Sequence, residues 1–410
     1  MQNVLPIDWG IAKLGEVCDL FIDGNWIESK DQSESGIRLI QTGNIGLGEF
    51  IDKDSKKFIT EETFQKFNCT EVFPGDILIS RLPDPVGRSC IVPDLGYKCI
   101  TAVDCTIVRV NKALISKHYL SFALNSSIIL SRINKYLTGT TRARISRTNL
   151  EKIIIPLPPL PTQHKIVEIL EEADNLRKLR QQADEKMKDL IPSLFVQIFG
   201  DPATNPKGWE VKTIGDIAAK EKFSIRMGPF GSQLKKHELV DEGFKVLWIE
   251  NIVNNKFEWK GNKCITSKKY EQLKGFQVRP GDILTTTMGT IGRSCVVPNN
   301  IGKAIISSHL LKITLDPKIA NPEFVAEYIR LPFAEQYFQK SSQGIVMQGL
   351  NTTIIKSLPI YFPPVSLQQE FAKLVEEIEA EKARQTESRR KVDELFSSLM
   401  QRAFTGELAA

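Results

Sequence analysis

The sequence predicts a mixed α+β protein. Two tandem domains are separated and followed by long helices that pair as an antiparallel coiled coil, in a pseudo-two-fold internal repeat. Three observations predict this. Distinct segments recur in order at a near-constant offset, so a unit of roughly 205 residues is written twice. Within each unit, short β-rich runs bounded by Gly, Pro and Asp alternate with helical stretches. Each unit closes with a proline-rich turn and a long amphipathic helix.

The repeat runs the length of the chain. WGIAKLGEV (Trp9–Val17) returns as WEVKTIGDI (Trp209–Ile217), and PGDIL (Pro74–Leu78) as Pro280–Leu284. VGRSCIVP (Val86–Pro93) returns as IGRSCVVP (Ile291–Pro298), and PPLPTQHKI (Pro158–Ile166) as PPVSLQQEF (Pro363–Phe371). DLIPSLFVQIF (Asp189–Phe199) returns as ELFSSLMQRAF (Glu394–Phe404). Expected strands are GDILIS, SCIVP and CTIVRV in the first copy, and GDILTTT, SCVVP and HLLKITL in the second. Continuous helices are expected over Ser116–Ile133 and Pro322–Gln339. The resulting division is 1–157 and 209–362 for the two domains, 158–200 and 363–410 for the helical parts, and 201–208 for a Gly/Pro-rich linker.

The two helices carry 3-4 apolar spacing. Ile166, Ile169, Ala173, Leu176, Ala183, Met187, Leu190 and Leu194 form the stripe in the first; Phe371, Leu374, Ile378, Val392, Leu395 and Leu399 form it in the second. Each helix is roughly 36 residues, about 54 Å at 1.5 Å per residue, longer than a domain of this size is wide. An antiparallel register setting Leu176 opposite Val392 places apolar layers at both ends. Ser366 and Gln369 form an expected capping box. Pro192 is expected to kink the first helix near its end.

Totals exclude several classes. The chain has 410 residues, 41% hydrophobic and 25% charged, as in ordinary globular domains. No apolar run reaches membrane-spanning length. The opening residues lack a signal-peptide pattern, so a cytoplasmic location is expected. Seven cysteines without a CxxC pair favour neither a disulfide framework nor a zinc site. Four scattered histidines make no HxxxH pair, and no metal site is expected. The net charge of +5 permits nucleic-acid binding without arguing for it.

The ordered, duplicated set of DGNWIESKD (Asp23–Asp31), GIRLIQTGNIGLGEF (Gly36–Phe50), GPFGSQL (Gly228–Leu234), two GDIL strands and two proline-turn-plus-helix regions resembles the specificity subunit of type I restriction–modification enzymes. The resemblance implies two target-recognition domains, each reading one half of a bipartite, asymmetric double-stranded DNA site. It implies spacer helices that set the gap and dock two modification (methyltransferase) subunits. Restriction subunits, ATP-dependent translocases and endonucleases, complete the assembly. S-adenosylmethionine, ATP and Mg²⁺ are then expected on the partners and no cofactor on this chain. One departure stands out: Pro192 falls where the family continues its helix. DGNWIESKD finds no counterpart in the second copy by sequence, nor GPFGSQL in the first, as expected if the two halves read different sequences.

Candidate DNA contacts follow from residue chemistry. TGTTRARISRTNL (Thr138–Leu150) presents Arg142, Arg144 and Arg147 in a polar loop, and arginine forks suit guanine edges or phosphate oxygens. The second copy has SSQGIVMQGLN (Ser341–Asn351) there, with Gln343 and Gln348 as candidate adenine readers. Arg81 and its counterpart Thr287 end equivalent strands. Lys303 and Ser307 offer donors in the second copy. Arg226 and Lys235 flank GPFGSQL, whose glycines let backbone amides approach a phosphate. Arg88 and Arg293 occur in both copies, which favours a structural or partner-facing role, and Cys90 and Cys295 are expected in the core. His309 is expected to be structural.

Catalysis by the chain itself is not expected. NPEF (Asn321–Phe324) lacks the second proline of an amino-methyltransferase loop and begins an expected helix. No GxxxxGK[ST] phosphate loop occurs. ESK (Glu28–Lys30) and EWK (Glu258–Lys260) have the local spacing of a PD-(D/E)xK nuclease but fall at non-equivalent repeat positions. That nuclease and a purely protein-binding scaffold are the alternatives.

Overall fold

The computed structural model describes residues 5–139, 142–341 and 349–408. It divides into two compact units, neither of them a simple half of the chain: one comprises 1–182 with 387–410, the other 183–386. The reason is visible in the helices. The helix Val365–Thr405 begins in the second unit and ends in the first. Each unit therefore packs one recognition domain against the end of the helix belonging to the other repeat.

The first unit is built on an antiparallel four-stranded sheet in the order Cys18–Asp23, Cys105–Val110, Ile77–Ser80, Ser89–Ile91. A three-stranded sheet places Ile37–Ile40 between Phe58–Ile59 and, in parallel, Cys99–Thr101. Alternate side chains of a strand face opposite ways. Ile77, Ile79 and Val108 thus enter the core shared with the helices, while Leu78 and Ile107 enter a second core with Ile40 and Cys90. Burial on both faces explains why GDILIS and CTIVRV read as continuous apolar runs rather than alternating ones. The second unit repeats the plan. Its four-stranded order is Ile225–Met227, Leu310–Ile313, Ile283–Thr286, Ser294–Val296, and its three-stranded sheet centres on Phe244–Leu247.

Two expectations about helices need correction. Ser116–Ile133 is not one helix but two, Lys117–Asn125 and Ser127–Asn134, because Ser126 turns extended and its hydroxyl accepts from the Ile129 amide. Pro322–Gln339 likewise splits at Leu331, where Pro332 starts a new helix. The expected capping box is replaced by another device. Val365–Thr405 starts one residue before Ser366. Gln368, fully buried, accepts from the Asn321 amide and donates to the Pro363 carbonyl. Gln163 does the same in the first copy, accepting from Ser116 and donating to Leu114 and Pro158. Each glutamine pins the start of a spacer helix to its own recognition domain.

Pro192 does interrupt the first spacer. Leu160–Lys188 ends, and Leu190–Phe199 begins after Asp189. The second spacer, with Ser397 at the equivalent place, runs unbroken for 41 residues. Helix pairing is antiparallel within each unit. Arg177 bonds Asp393 at 3.0 Å and lies 4.3 Å over the Phe396 ring, and Ile166, Val167 and Leu170 share a core with Met400, Ala403 and Phe404. In the second unit Phe195 and Phe199 meet Phe371.

The expected seam is only partly right. Ala173 is buried, and Met187, Leu194, Ile378, Val392 and Leu399 are half-buried, whereas Ile169, Leu176, Leu190, Leu374 and Leu395 are exposed. The recognition domain as well as the partner helix covers each spacer. Ile166 and Phe371 of the expected stripes are buried, and the buried face extends from them to Val167 and Leu170 in the first unit and to Ile191, Phe195 and Phe199 in the second. Aromatic contacts anchor both places. Tyr119 meets Phe404 at 5.5 Å, and the equivalent pair Phe324 and Phe199 meets at 4.9 Å. Among the described residues no helix is long and apolar enough to cross a membrane.

Candidate nucleic-acid interface

The basic loop of the first unit is suspended from the end of its central sheet. Arg81 follows the strand Ile77–Ser80. Its guanidinium donates to the Val103 carbonyl at 2.7 Å and the Ile145 carbonyl at 3.3 Å, and pairs with Asp23 at 3.2 Å. It is 8% exposed. Arg81 is therefore not available to DNA, contrary to the sequence expectation: a long cation at a strand end was needed to hold three converging segments together. Its carbonyl in turn accepts from the Ile145 amide. Thr138 and Arg144 exchange two backbone hydrogen bonds of 2.9 Å.

On this support Arg142, Arg144 and Arg147 are all exposed. Arg147 opens the short helix Arg147–Glu151, capped by the Ser146 hydroxyl, and lies 3.7 Å from the Glu151 carboxylate. Leu150 is buried beneath it. The loop thus presents cations on a fixed backbone, which suits both phosphate contacts and guanine readout.

The second unit keeps the backbone and changes the filling. Thr287 stands in the place of Arg81, and its carbonyl accepts from Leu350 as that of Arg81 does from Ile145. The Thr287 hydroxyl is buried without a hydrogen-bond partner among the described residues. Gln343 and Gln348 lie outside the described residues. Ser307 is fully buried, so it is withdrawn as a DNA contact; it lies on the strand-end turn under Gly228. Arg226 is also withdrawn. Its guanidinium is sandwiched 3.8 Å from the Phe223 ring and 3.7 Å from that of Phe276, and burial lowers its pKa. Such stacking holds the cation within the fold. Lys235 and Lys303 remain exposed, Lys303 at 5.6 Å from the Phe244 ring. The half-buried His309 ring faces Trp248.

The paired arginines also part company. Arg88 is buried and donates to the carbonyls of Ile45, Leu82, Pro85 and Thr42, whereas Arg293 is exposed. Cys90 and Cys295 are core residues, and burial pushes each thiol up to about 12. In the two tripeptides with nuclease-like spacing, the lysine turns back on its own glutamate: Lys30 on Glu28 at 2.7 Å and Lys260 on Glu258 at 2.8 Å. Asn321 of NPEF caps the helix Pro322–Arg330 by accepting from Glu323 and Phe324.

One equivalence escaped the sequence comparison. DGNW and MGPF, read as unmatched, occupy the same structural position. A Cβ on Gly24 would fall 2.2 Å from the Thr101 carbonyl oxygen, and one on Gly228 would fall 1.9 Å from that of Ser307. Both glycines press their backbone onto the end of the parallel strand. The detectable signal was a glycine followed two residues later by a large aromatic, directly after the first strand of each sheet.

Two copies of one α+β frame, with different side chains filling the same sheet end, define a duplicated recognition protein. The chain belongs to the type I restriction modification DNA specificity family, whose domain model matches residues 6–188 and again 206–391. It is 23% identical over 423 residues to the putative type I restriction enzyme MjaX specificity subunit of Methanocaldococcus jannaschii, covering 98% of this chain and 94% of that one. It is 22% identical to the type I restriction enzyme EcoKI specificity subunit of Escherichia coli, over 99% of this chain and 90% of that one. Its fold is similar to a chain from a structure of the assembly and conformational transition of the type I R-M system. That match has a TM-score of 0.66 and 17% identity, covering 99% of this chain and 100% of the other. It is also similar to the type I restriction–modification S subunit from M. genitalium, with a TM-score of 0.56, 14% identity and 98% coverage of each chain.

Proposed function

We propose that this chain is the DNA sequence-specificity subunit of a type I restriction–modification system. Each recognition domain, 1–157 and 209–362, reads one half of a bipartite asymmetric target. The spacers, 158–200 and 363–410, joined through 201–208, set the gap and dock two modification subunits. Restriction subunits join that assembly. The chain has no catalytic centre of its own, and S-adenosylmethionine, ATP and Mg²⁺ act on its partners in the cytoplasm. The observation that carries this reading is the matched pair of scaffolds, in which one copy has exposed Arg142, Arg144 and Arg147 beside Arg81 and the other has Thr287 in the place of Arg81. Family membership and the names of its relatives support the reading. So do Ile169, Leu176 and Leu179, apolar residues left exposed on the first spacer for a protein partner. The test is methylation by the purified chain alone and with its modification subunits. Methylation of one bipartite motif by the assembly and none by the chain alone is expected. Turnover by the chain alone, or assembly without DNA binding, overturns the proposal.

A further inference from the structure

Two of the most exposed large side chains in the described residues stand at the same place in the two repeats. Trp26 is 67% exposed and Phe230 is 63% exposed. Each lies two residues beyond the glycine that is pressed against the sheet, Gly24 or Gly228. The segments share almost no sequence, yet both spend a buried glycine contact to carry an aromatic ring outward.

The backbone beneath each ring is fixed. In the first unit the Gly24 amide donates to Cys105 and the Asn25 amide to Thr101. The Asn25 side chain donates to the Phe67 carbonyl and accepts from the Thr70 amide. Ile27, the next residue, packs into the small core beside the three-stranded sheet. The Trp26 indole N–H donates to Glu28, whose charge is met by Lys30, and this leaves the ring faces open. In the second unit the Gly228 amide donates to Leu310, Pro229 is buried, and the Phe230 carbonyl accepts from the Gln233 and Leu234 amides. Leu234 packs inward. Exposed aromatics on mobile loops are common; aromatics held outward by this many bonds, twice, are not explained by folding.

Exposed cations stand on the segments joined to each turn, beside the acidic Glu28 and Glu238. Asp23, three residues before Trp26, pairs with Arg81, and Arg81 bonds Ile145, the neighbour of exposed Arg144. The Trp26 turn and the arginine loop therefore meet at one corner of the sheet. Phe230 is followed on its own loop by exposed Lys235 and Lys236. An aromatic face beside cations fits a base stack next to its phosphates.

We propose that Trp26 and Phe230 are the stacking residues of the two recognition domains, each lodged against a base step of its half-site and loosening the base stack there. A ring offers no hydrogen-bond code, so it supplies affinity and deformation, while neighbouring polar groups supply base identity. This explains why the position is kept aromatic in both copies although the surrounding sequences differ. The inference rests on the proposed DNA-reading function.

The experiment uses the full chain assembled with its modification subunits, and a duplex carrying the motif that the wild-type assembly methylates. 2-Aminopurine is placed in turn through both half-sites, and fluorescence and affinity are recorded for the wild type, W26A, W26F, F230A and F230W. One step in each half-site is expected to brighten on binding. W26A should abolish the signal in one half-site only, and F230A in the other. Each should weaken binding by roughly 5- to 140-fold, the equivalent of about 1–3 kcal/mol per stacked base. W26F and F230W should restore most of it, which separates loss of the ring from loss of the fold. Wild-type affinity and brightening in both alanine variants would overturn the inference while leaving the DNA-reading function standing. Failure of the alanine variants to assemble, with DNA binding intact in whatever assembles, would make the rings protein contacts and overturn it too. Absence of duplex binding by the wild-type assembly would instead sink the underlying function.

Discussion

At the end of the central sheet the first recognition domain places Arg81 and the second places Thr287. The first fills its corner with a paired cation that ties Asp23, Val103 and Ile145 together. The second keeps the backbone bond and leaves a buried hydroxyl with no partner among the described residues. A similar exchange occurs behind the sheet. Asn125 donates to the Ser89 carbonyl, and its repeat counterpart Arg330 donates to the equivalent Ser294 carbonyl. Arg330 sits between the half-buried carboxylate of Glu323 and the buried carboxylate of Glu327, positions occupied by His118 and Phe122 in the first copy. The frame demands a brace at each point and tolerates different chemistry in it. That tolerance lets two copies of one fold present unlike surfaces.

The largest expected effect falls on the spacer contacts. Phe195 touches the rings of Phe199, Phe324, Tyr328 and Phe371. Its counterpart in the first unit is Met400, with no such ring cluster. Phe195→Ala should cost about 3–5 kcal/mol and Met400→Ala about 2 kcal/mol, read by urea unfolding. Equal losses would mean that the two spacer contacts are alike.

Next comes the corner itself. Arg81→Met strands Asp23 and two carbonyls and should cost about 2–3 kcal/mol. Thr287→Val removes a hydroxyl that has no partner among the described residues, at almost constant shape, and should be neutral or slightly stabilising. A comparable penalty for both would refute the contrast between braced and unbraced corners.

The carboxylates give a smaller, pH-dependent difference. Burial pushes the Glu323 and Glu327 carboxyls up, and Arg330 pulls each partly back. The folded state then holds their protons more tightly than the unfolded chain does. Their contribution to stability is present below the ordinary glutamate range and is lost as pH rises through the raised folded values. Replacing both by Gln should flatten the decline in the second unit as pH rises above the ordinary glutamate range. A double variant whose unfolding free energy follows the wild-type pH curve would contradict this. At the small end, Leu395→Ala and Leu176→Ala, both on exposed faces, should move folding stability by no more than about 0.5 kcal/mol. A loss of several kcal/mol would restore the seam expected from the heptads.

Much of the frame was legible in the sequence. The repeat, the strands and the interruption at Pro192 all follow from local chemistry and ordered recurrence. The seam was misplaced because 3-4 spacing reports an apolar face without saying whether a helix or a domain covers it. Arg81, Arg226 and Ser307 looked like surface donors because side-chain chemistry does not announce burial; only the converging carbonyls and stacked rings reveal it. Gln163 and Gln368 were in view within aligned segments, but two of the three hydrogen bonds of each depend on distant backbone. The match of Gly24 with Gly228 was hidden because only the glycine and an aromatic two residues on, of different type in each copy, are retained there.

The central claim is that each recognition domain reads its own half of a bipartite site. Its most direct test is single-molecule methylation sequencing of cells expressing the chain with Arg142, Arg144 and Arg147 replaced by Ala, beside the wild type. The account predicts relaxed or lost sequence preference in one half of the methylated motif, by about 1–3 kcal/mol for each guanine read, with the other half and the gap unchanged. Unchanged preference in both halves, or equal relaxation of both, would contradict it.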